Sequence, residues 1–510
     1  MSVNHNVLYS GAAMAELDRW AIEEQGVGGL VLMEAAGTAL AREVSRVQPQ
    51  GRIAVVCGGG NNGGDGYVAA RLLRDEGRDV VVLTTCESGR LAGDAKVNAE
   101  RLPGEAARQF EPAELDRAEV IVDALLGTGA SGPARGAVAD AIHAINEAGV
   151  PVVSADIPSG VDAATGAAEG PAVSAVCTVT FAAHKVGLFV FPGKSLAGRV
   201  VLAELPYPPR WPVEPSASLL SLEDLLDGFP RRASQSNKFT SGHVVVAGGS
   251  RGLSGAVCLS AAAAARAGAG YVTACVPERL VDVVESQLPE VMSAVLPGPG
   301  DRHAPESVPM VAELLRRHDG ALVVGPGVGT DTGALAFVTE LVATSTAPTV
   351  LDADGIGAYA ANPEALSAVE APLIITPHAG ELARLLGTDT AAVQNRRIEH
   401  AERAAHLTGA TVVLKGDDTI VATDGHAPAV SPGGAPGLAT AGTGDVLAGI
   451  CGALLSRGMS APDAAKLAVA IHLTAGRRAA LVAGSADGVI ASDVIAAIPW
   501  ALADKAATDA

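Results

Sequence analysis

A glycine-rich run near the C-terminus carries the most specific chemical pattern of the chain. Gly442-Thr443-Gly444-Asp445 leads into an apolar stretch that is typical of a helix. The backbone amides of residues 442–445 would point at one spot, with the helix dipole behind them, so the run predicts an anion site. Asp445 could remove a proton from a substrate hydroxyl while these amides stabilise a transferred phosphoryl group. The alternative is an aspartate that only caps its helix.

Other polar and glycine-rich segments of the C-terminal half nearly all follow predicted strands. The carboxyl ends of parallel strands meet at one edge of a sheet, so these segments are predicted to line one crevice. Lys415 could reach nucleotide phosphates as a point charge, and His378 could hydrogen-bond a ligand or serve only the structure. The segments are Ala247–Ser250, Ser254–Ala256, Gly325–Gly329, Leu351–Asp354, Thr376–Glu381 and Leu414–Asp418.

The N-terminal half has its own glycine-rich run, Gly58–Gly66, which follows a predicted strand and is expected to open a helix at Tyr67. It could bind a phosphate through bare amides, or it could simply be a tight turn. Asp123 and Asp156 end two further strands, where ligands bind in open α/β sheets. A partly desolvated Asp156 could lose and regain a proton.

Two basic residues of this half have open interpretations. Lys185 could assist Asp156 by its charge, or it could be a solvated surface lysine. Gly193-Lys194-Ser195 resembles the end of a phosphate-binding loop, but the required spacing places glycine where the chain has Leu188. We therefore interpret Gly193-Lys194-Ser195 as a turn after a strand at Phe189–Phe191.

The elements that must position these residues alternate between short apolar strands and helices in both halves. This alternation predicts two doubly wound α/β domains with parallel sheets. Residues 10 to 46 precede the first strand and are predicted to form two helices, the first capped by Ser10. The predicted strands are Ile53–Cys57, Val80–Thr84, Val120–Asp123, Val152–Ala155, Val176–Phe181, His243–Ala247, Tyr271–Val276, Ala321–Val324, Thr349–Asp352, Leu373–Thr376 and Thr411–Leu414.

A proline-rich stretch separates the two series, with prolines at 206, 208, 209, 212 and 215. Such a stretch can form neither a helix nor a central strand. We place the linker there, which predicts domains at residues 1–215 and 216–510.

Composition excludes several classes of partner. The 510 residues carry a net charge of −20, which argues against nucleic acid or an acidic membrane surface. The six cysteines form no CxxC pair and indicate reduced thiols. The first residues, from Met1 to His5, show no basic and apolar leader, and no run is long enough to span a membrane. We expect a cytoplasmic protein that forms a homo-oligomer.

The N-terminal motifs resemble those of NAD(P)H-hydrate epimerases, over roughly residues 10 to 205. Gly58–Gly66 and the strand ends at Asp123 and Asp156 carry the resemblance. It implies a Rossmann-like domain that epimerises hydrated NADH and NADPH, with Asp156 at the reacting ring and K⁺ bound by Asn62, Asp123 and Ser159. The residues implied to contact this substrate are Asn61, Asn62, Gly63, Gly64, Asp65, Gly127, Thr128, Gly129, Pro133 and Asp156.

The C-terminal motifs resemble ribokinase-like ADP- or ATP-dependent NAD(P)H-hydrate dehydratases, over roughly residues 230 to 500. Pro289-Glu290-Val291-Met292 also matches that family. The chain departs from the pattern at Ser254, often an aromatic, and at 355–357, where Gly-Ile-Gly replaces Leu-Asn. By position, Ala256, Gly329, His378 and Asp445 are implied to contact the hydrate. The residues implied to contact the adenine nucleotide are Lys415, Gly416, Asp417, Asp418, Thr419, Gly442, Thr443 and Gly444.

The resemblance implies a bifunctional repair enzyme, both isomerase and lyase. Asp445 would deprotonate the hydroxyl of the hydrated ring, phosphoryl transfer from the nucleotide would follow, and loss of phosphate would restore the double bond. Mg²⁺ would accompany the nucleotide, and ADP is the favoured donor over ATP. Two other interpretations stay open: a small-molecule kinase of the same fold, and a non-catalytic N-terminal binding module.

Overall fold

The computed structural model describes residues 6–87, 89–317 and 320–503. Two compact units divide the chain between Ser218 and Leu219. Residues 1–5, on which the expectation about a leader peptide rests, lie outside the described residues. Among the helices that are described, none is long and apolar enough to cross a membrane. All six cysteines are free.

The first unit contains a seven-stranded parallel sheet in the order β4-β3-β2-β5-β6-β7-β9. A separate short strand, β1, pairs in parallel with β8 and antiparallel with β10. The strands are β1 (Val7–Tyr9), β2 (Ile53–Cys57), β3 (Val80–Thr84), β4 (Arg108–Gln109), β5 (Val120–Ala124), β6 (Val152–Ala155), β7 (Cys177–Phe181), β8 (His184–Lys185), β9 (Arg199–Ala203) and β10 (Ala217–Leu219).

Two helices precede this sheet, as predicted. Ser10 caps the first by accepting a hydrogen bond from the Ala13 amide at 3.2 Å, and a π-helical turn, Trp20–Glu24, extends it. The helices of the unit are α1 (Gly11–Arg19), α2 (Gly29–Val47), α3 (Asn61–Asp75), α4 (Gly93–Glu100), α5 (Gly136–Glu147) and α6 (Gly193–Ala197).

Two local predictions in this unit were wrong. Helix α3 begins at Asn61 rather than Tyr67, so the glycine-rich run itself forms the first turns. The glycines are needed for close packing there, because a Cβ on Gly63 would lie 2.1 Å from the carbonyl oxygen of Gly58. No strand forms at 189–191, and Gly193-Lys194-Ser195 opens the short helix α6 instead of a turn.

The second unit contains a sheet in the order β13-β12-β11-β14-β15-β16-β17-β18-β19. Pairing is parallel from β13 to β17, and β18 and β19 are antiparallel. The six predicted strands are present, whereas β13, β18 and β19 were not predicted. The strands are β11 (His243–Ala247), β12 (Tyr271–Pro277), β13 (Met292–Leu296), β14 (Ala321–Val324), β15 (Thr349–Leu351), β16 (Leu373–Ile375), β17 (Thr411–Leu414), β18 (Ile420–Ala422) and β19 (Ala429–Val430).

Small aliphatic side chains form the core of the second unit, as the 3% aromatic content suggested. Burial of each valine, leucine or isoleucine stabilises the fold by about 1.5–3 kcal/mol. The α/β prediction with parallel sheets is confirmed for both halves. The helices are α7 (Leu222–Leu226), α8 (Ser254–Arg266), α9 (Val281–Gln287), α10 (Val308–Arg317), α11 (Thr332–Thr344), α12 (Asp354–Gly357), α13 (Ala379–Leu386), α14 (Thr390–Asn395), α15 (Arg397–Thr408), α16 (Thr443–Ser456), α17 (Ala461–Ala483) and α18 (Ala491–Ala501).

Candidate active sites

Asp156 in the first unit follows β6 in a strained backbone conformation. Its φ of 65° is uncommon for a residue other than glycine. One carboxylate oxygen, Oδ2, accepts a hydrogen bond from the Thr128 amide at 3.2 Å. The other, Oδ1, lies 2.6 Å from Nζ of Lys185. These contacts fix the carboxylate at the wall of a cavity.

Lys185 is buried, which excludes the solvated alternative. Its side chain is 1% exposed, and Nζ also donates to the carbonyl oxygen of Phe181 at 2.6 Å. A buried ammonium requires such partners, because water no longer solvates it. Lys185 and Asp156 therefore form a buried ion pair.

A cavity of about 540 Å³ lies beside this ion pair at the carboxyl edge of the parallel sheet. Gly63, Gly64 and Pro133 do not line it. A Cβ on Gly64 would lie 2.5 Å from Sδ of Met33, so this glycine serves helix packing. The predicted residues that do line the cavity are Asn61, Asn62, Asp65, Gly127, Thr128, Gly129 and Asp156.

Asp65 lines the same cavity and is 9% exposed. Its carboxyl group makes no hydrogen bond with any residue that the structure describes. Burial, and then the charges of Asp156 and Asp18, raise its pKa well above the ordinary value, against an opposing effect of Lys185. Burial thus favours the protonated form of the Asp65 carboxyl group, which lines the same cavity wall as Asp156.

Two further cavity residues, Asp18 and Tyr207, were missed by sequence reasoning. The Tyr207 hydroxyl donates a hydrogen bond to Oδ1 of Asp18. Burial raises the pKa of both groups, and the charge of Asp18 raises that of Tyr207 further. These residues are separated by 189 positions and belong to no glycine-rich motif, so no local pattern joined them.

The three predicted potassium ligands differ in their hydrogen bonding. Both amide atoms of Asn62 are buried and have no partner among the described residues. The Asp123 carboxylate instead accepts four hydrogen bonds, from the Ser159 hydroxyl at 2.5 Å, the Ser154 hydroxyl, and the amides of Ser159 and Leu125. Burial raises its pKa, which these bonds oppose. The amide oxygen of Asn62 is thus available to a cation, while Asp123 and Ser159 are joined by hydrogen bonds.

Asp445 in the second unit lies in the first turn of α16, where the sequence predicted it. Gly442 precedes the helix with φ 89°, a conformation that favours glycine. Within the described part of the chain, the amides of Gly444 and Asp445 have no acceptor, so they are available to an anion. Burial, followed by the charge of Asp352, raises the pKa of Asp445 to about 7.

Lys415 lies beside this helix start at the end of β17. Its Nζ is 2.9 Å from Oδ1 of Asp352 and 3.7 Å from Oε2 of Glu381. Burial lowers the pKa of Lys415, but the charges of Asp352 and Glu381 outweigh it and raise the pKa overall. Asp352 also accepts a 2.6 Å hydrogen bond from the Thr376 hydroxyl. Lys415 is therefore a fixed cation next to the free amides.

A cavity of about 390 Å³ opens beside Lys415. Asp418 does not line it, because its buried carboxylate pairs with Arg397 at 2.8 Å. Gly442 does not line it either, since its conformation serves to start α16. The predicted residues that do line it are His378, Lys415, Gly416, Asp417, Thr419, Thr443 and Gly444.

The residues predicted for the hydrate lie outside this cavity, except His378. Asp445 follows the cavity residue Gly444, and its carbonyl oxygen accepts a hydrogen bond from Ser260 of α8 at 2.9 Å. Ala256 is in the first turn of that same helix. The Gly329 amide donates to Oδ2 of Asp354 at 3.0 Å. Asp445 thus lies next to the cavity residue Gly444 and contacts α8 through its main chain.

His378 has a structural role in addition to its place in the cavity wall. Its Nδ1 accepts hydrogen bonds from the amides of Gly380 and Glu381, at 3.0 and 3.2 Å. The Glu381 carboxylate in turn accepts from the His378 amide at 2.8 Å. This capping box holds the start of α13.

Comparison with known proteins gives matches to both halves. The family described as NAD(P)H-hydrate dehydratase matches residues 244–499, and the family described as YjeF-related protein N-terminus matches residues 29–187. The bifunctional NAD(P)H-hydrate repair enzyme Nnr of Moorella thermoacetica is 38% identical, over 97% of this chain and 96% of its own. The enzyme of the same name from Escherichia coli K12 is 34% identical, over 98% and 94%.

A solved structure, the ADP/ATP-dependent NAD(P)H-hydrate dehydratase of Bacillus subtilis co-crystallised with ATP/Mg²⁺, is 25% identical with a TM-score of 0.46. It covers 56% of this chain and 96% of its own. The two family matches and the two sites define a fusion of two α/β enzyme domains. Because the named relatives are similar over nearly their whole length, the chain belongs to the family of bifunctional NAD(P)H-hydrate repair enzymes.

Proposed function

We propose that this protein repairs hydrated NADH and NADPH, with an epimerase in residues 1–215 and a nucleotide-dependent dehydratase in residues 216–510. The position of Asp445 carries the proposal. A carboxylate with a pKa of about 7 stands in the first turn of a helix whose free amides can bind a phosphate. A general base is most effective when its pKa lies near the working pH.

In the dehydratase, Asp445 removes the proton from the hydroxyl of the hydrated ring. The hydroxyl oxygen attacks the terminal phosphorus of the nucleotide, and the bond to the bridging oxygen breaks. The amides of Gly444 and Asp445, together with Lys415, stabilise charge on the transferred group. Phosphate then leaves the ring, which loses a neighbouring proton and regains its double bond.

The nucleotide in this proposal is ADP, which yields AMP and phosphate. Lys415, Gly416, Asp417, Thr419, Thr443 and Gly444 would line its site, while Ala256, Gly329 and His378 would contact the hydrate. Among the described residues no cluster of three metal-ligating side chains is present. Mg²⁺ would therefore be held mainly by the nucleotide phosphates and water, and would neutralise phosphate charge.

In the epimerase, Asp156 takes the proton of the ring hydroxyl at the carbon to be inverted. The ring opens as that carbon becomes a carbonyl, and the ring nitrogen gains a proton from the acid form of Asp65. After rotation, closure in the reverse sense gives the other epimer. Lys185 holds the Asp156 side chain in place through its 2.6 Å contact with Oδ1.

The proposed potassium site in this domain consists of Asn62, Asp123 and Ser159. The buried amide oxygen of Asn62, which lacks a partner among the described residues, fits a hard cation that prefers oxygen ligands. A bound K⁺ would supply positive charge beside the substrate.

The test incubates pure protein with mixed hydrate epimers and Mg²⁺, with ADP or ATP, and follows the return of nicotinamide absorbance. We expect complete recovery of both epimers with ADP, and one AMP and one phosphate for each NADH. Accumulation of a stable phosphorylated product would show a small-molecule kinase instead. Recovery that stops at half of the mixture would show that the N-terminal domain does not epimerise.

A further inference from the structure

His472 lies in the wall of the 390 Å³ cavity that the nucleotide would occupy. It belongs to α17 and is 9% exposed. Its Nε2 atom is buried and has no hydrogen-bond partner among the described residues. A buried polar atom without a partner is costly, and in a native structure it calls for an explanation.

The hydrogen-bonding state of the His472 ring follows from its surroundings. Burial lowers the pKa of His472 to about 4, against the opposing effect of a hydrogen bond that the ring donates to the main chain of Thr443. The ring is therefore neutral at pH 7. A main-chain group that favours the protonated ring must be an acceptor, which here is the carbonyl oxygen of Thr443. The ring nitrogen that faces Thr443 therefore carries the hydrogen of the neutral ring. The unpartnered Nε2 is then an acceptor.

The rest of the cavity wall near His472 is apolar. Leu447 of α16, together with Val469 and Leu473 of α17, contributes aliphatic surface to it. Lys415 and Gly444 provide the charged and amide groups of the same cavity. An apolar surface with a few placed polar groups is typical of a small-molecule site. This arrangement suits a nucleotide, with its nucleoside against the apolar wall and its phosphates toward Lys415.

We propose that Nε2 of His472 accepts a hydrogen bond from a donor on the nucleoside of the bound adenine nucleotide. The donor is the 6-amino group of the base or a ribose hydroxyl, which present the same chemistry. The inference rests on the proposed function, because it requires the nucleotide to occupy this cavity. It makes His472 a specificity residue of the dehydratase, with no part in the proton transfer at Asp445.

The test measures binding of MgADP to the full chain and to His472→Leu by calorimetry. We expect about tenfold weaker binding for the variant, the loss of one hydrogen bond. Three analogues identify the donor: the diphosphate of purine riboside without the 6-amino group, 2′-deoxy-ADP and 3′-deoxy-ADP. One of them should bind the parent about tenfold more weakly than ADP does, and that penalty should vanish in His472→Leu.

Two further variants separate recognition from folding. His472→Gln, whose amide oxygen can accept, should recover part of the affinity. His400→Leu removes a histidine that is also 9% exposed but does not line the cavity, and it should bind MgADP as the parent does. Unchanged affinity in His472→Leu, or analogue penalties that persist in it, would overturn the inference. A parent chain that does not bind MgADP would overturn the proposed dehydratase as well.

Discussion

Each unit places a lysine beside a strand-end aspartate, buried in the case of Lys185 and half-buried in the case of Lys415, but the two lysines have different partners. In the first unit Lys185 contacts Asp156, the carboxylate proposed to take the proton. In the second unit Lys415 contacts Asp352, and the proposed base Asp445 is a separate residue. The lysine therefore stabilises charge on the base itself in one site, and on a neighbour of the base in the other.

This difference matches the chemistry proposed for each site. An epimerase must return the proton it takes. The lysine and aspartate pair suits such a reversible exchange, because burial of the neighbouring Asp65 favours its protonated form. The dehydratase must activate a hydroxyl group to attack the phosphorus of a phosphoryl group. Asp352 helps there by raising the pKa of Asp445. Both sites contain a lysine, and they differ in whether that lysine contacts the proposed base or a neighbour of the base.

The largest expected effect comes from Asp156→Asn. Because this change removes the proposed proton acceptor, epimerisation should fall by about 10²- to 10⁴-fold. The separate dehydratase site should process the S hydrate at the parent rate. The measurement is the exchange of R and S hydrates, resolved by chromatography. Parent-level exchange would instead favour a binding module without catalysis.

Lys415→Met should have the next largest effect. It removes a cation that would contact phosphate and that lowers the pKa of Asp445, so dehydratase kcat/KM for ADP should fall by about 100-fold. Its pH profile should also shift to higher pH. Epimerisation serves as the internal control, and an unaltered kcat/KM would remove Lys415 from the site.

The pH dependence of the parent dehydratase should show Asp445 directly. A group with a pKa of about 7 is protonated below that pH and cannot act as a base. We therefore expect kcat/KM to rise about tenfold per pH unit up to about pH 7 and then to level off. A profile that is flat from pH 5 to 8 would be inconsistent with this role.

Tyr207→Phe tests the cavity pair that belongs to no motif. Loss of the hydrogen bond to Asp18 should reduce epimerisation by about fivefold, since one hydrogen bond contributes about 1 kcal/mol. The measurement compares kcat and KM for the two epimers. If both are unchanged, the pair contributes only to the cavity wall.

Much of this arrangement could be predicted from the sequence, because local patterns define it. Apolar strands ending in Asp123 and Asp156, and a helix opening at Gly442-Thr443-Gly444-Asp445, need only neighbouring residues to be recognised. The prediction of a helix start at Tyr67 was wrong, because glycines that break an isolated helix are required by packing at Gly58 and Met33.

Other features depend on residues that are distant in the chain. Tyr207 contacts Asp18, which is 189 positions away in the chain. His472 is the single histidine of its helix, and only the fold shows that its Nε2 atom is buried without a partner among the described residues. The burial of Lys185 could not be predicted from the sequence either, because its neighbours in the chain are equally compatible with a surface turn. The sequence therefore indicates which loops carry chemistry, but not which charges are paired.

The central claim concerns Asp445, and one measurement tests it most directly. Asp445→Asn and the parent are given S-NADH hydrate with MgADP, and the return of nicotinamide absorbance is followed while R and S exchange is monitored in a parallel sample. We predict that recovery of NADH falls by about 10³-fold in the variant and that exchange proceeds at the parent rate. Equal rates of recovery in variant and parent would contradict the assignment of Asp445 as the base.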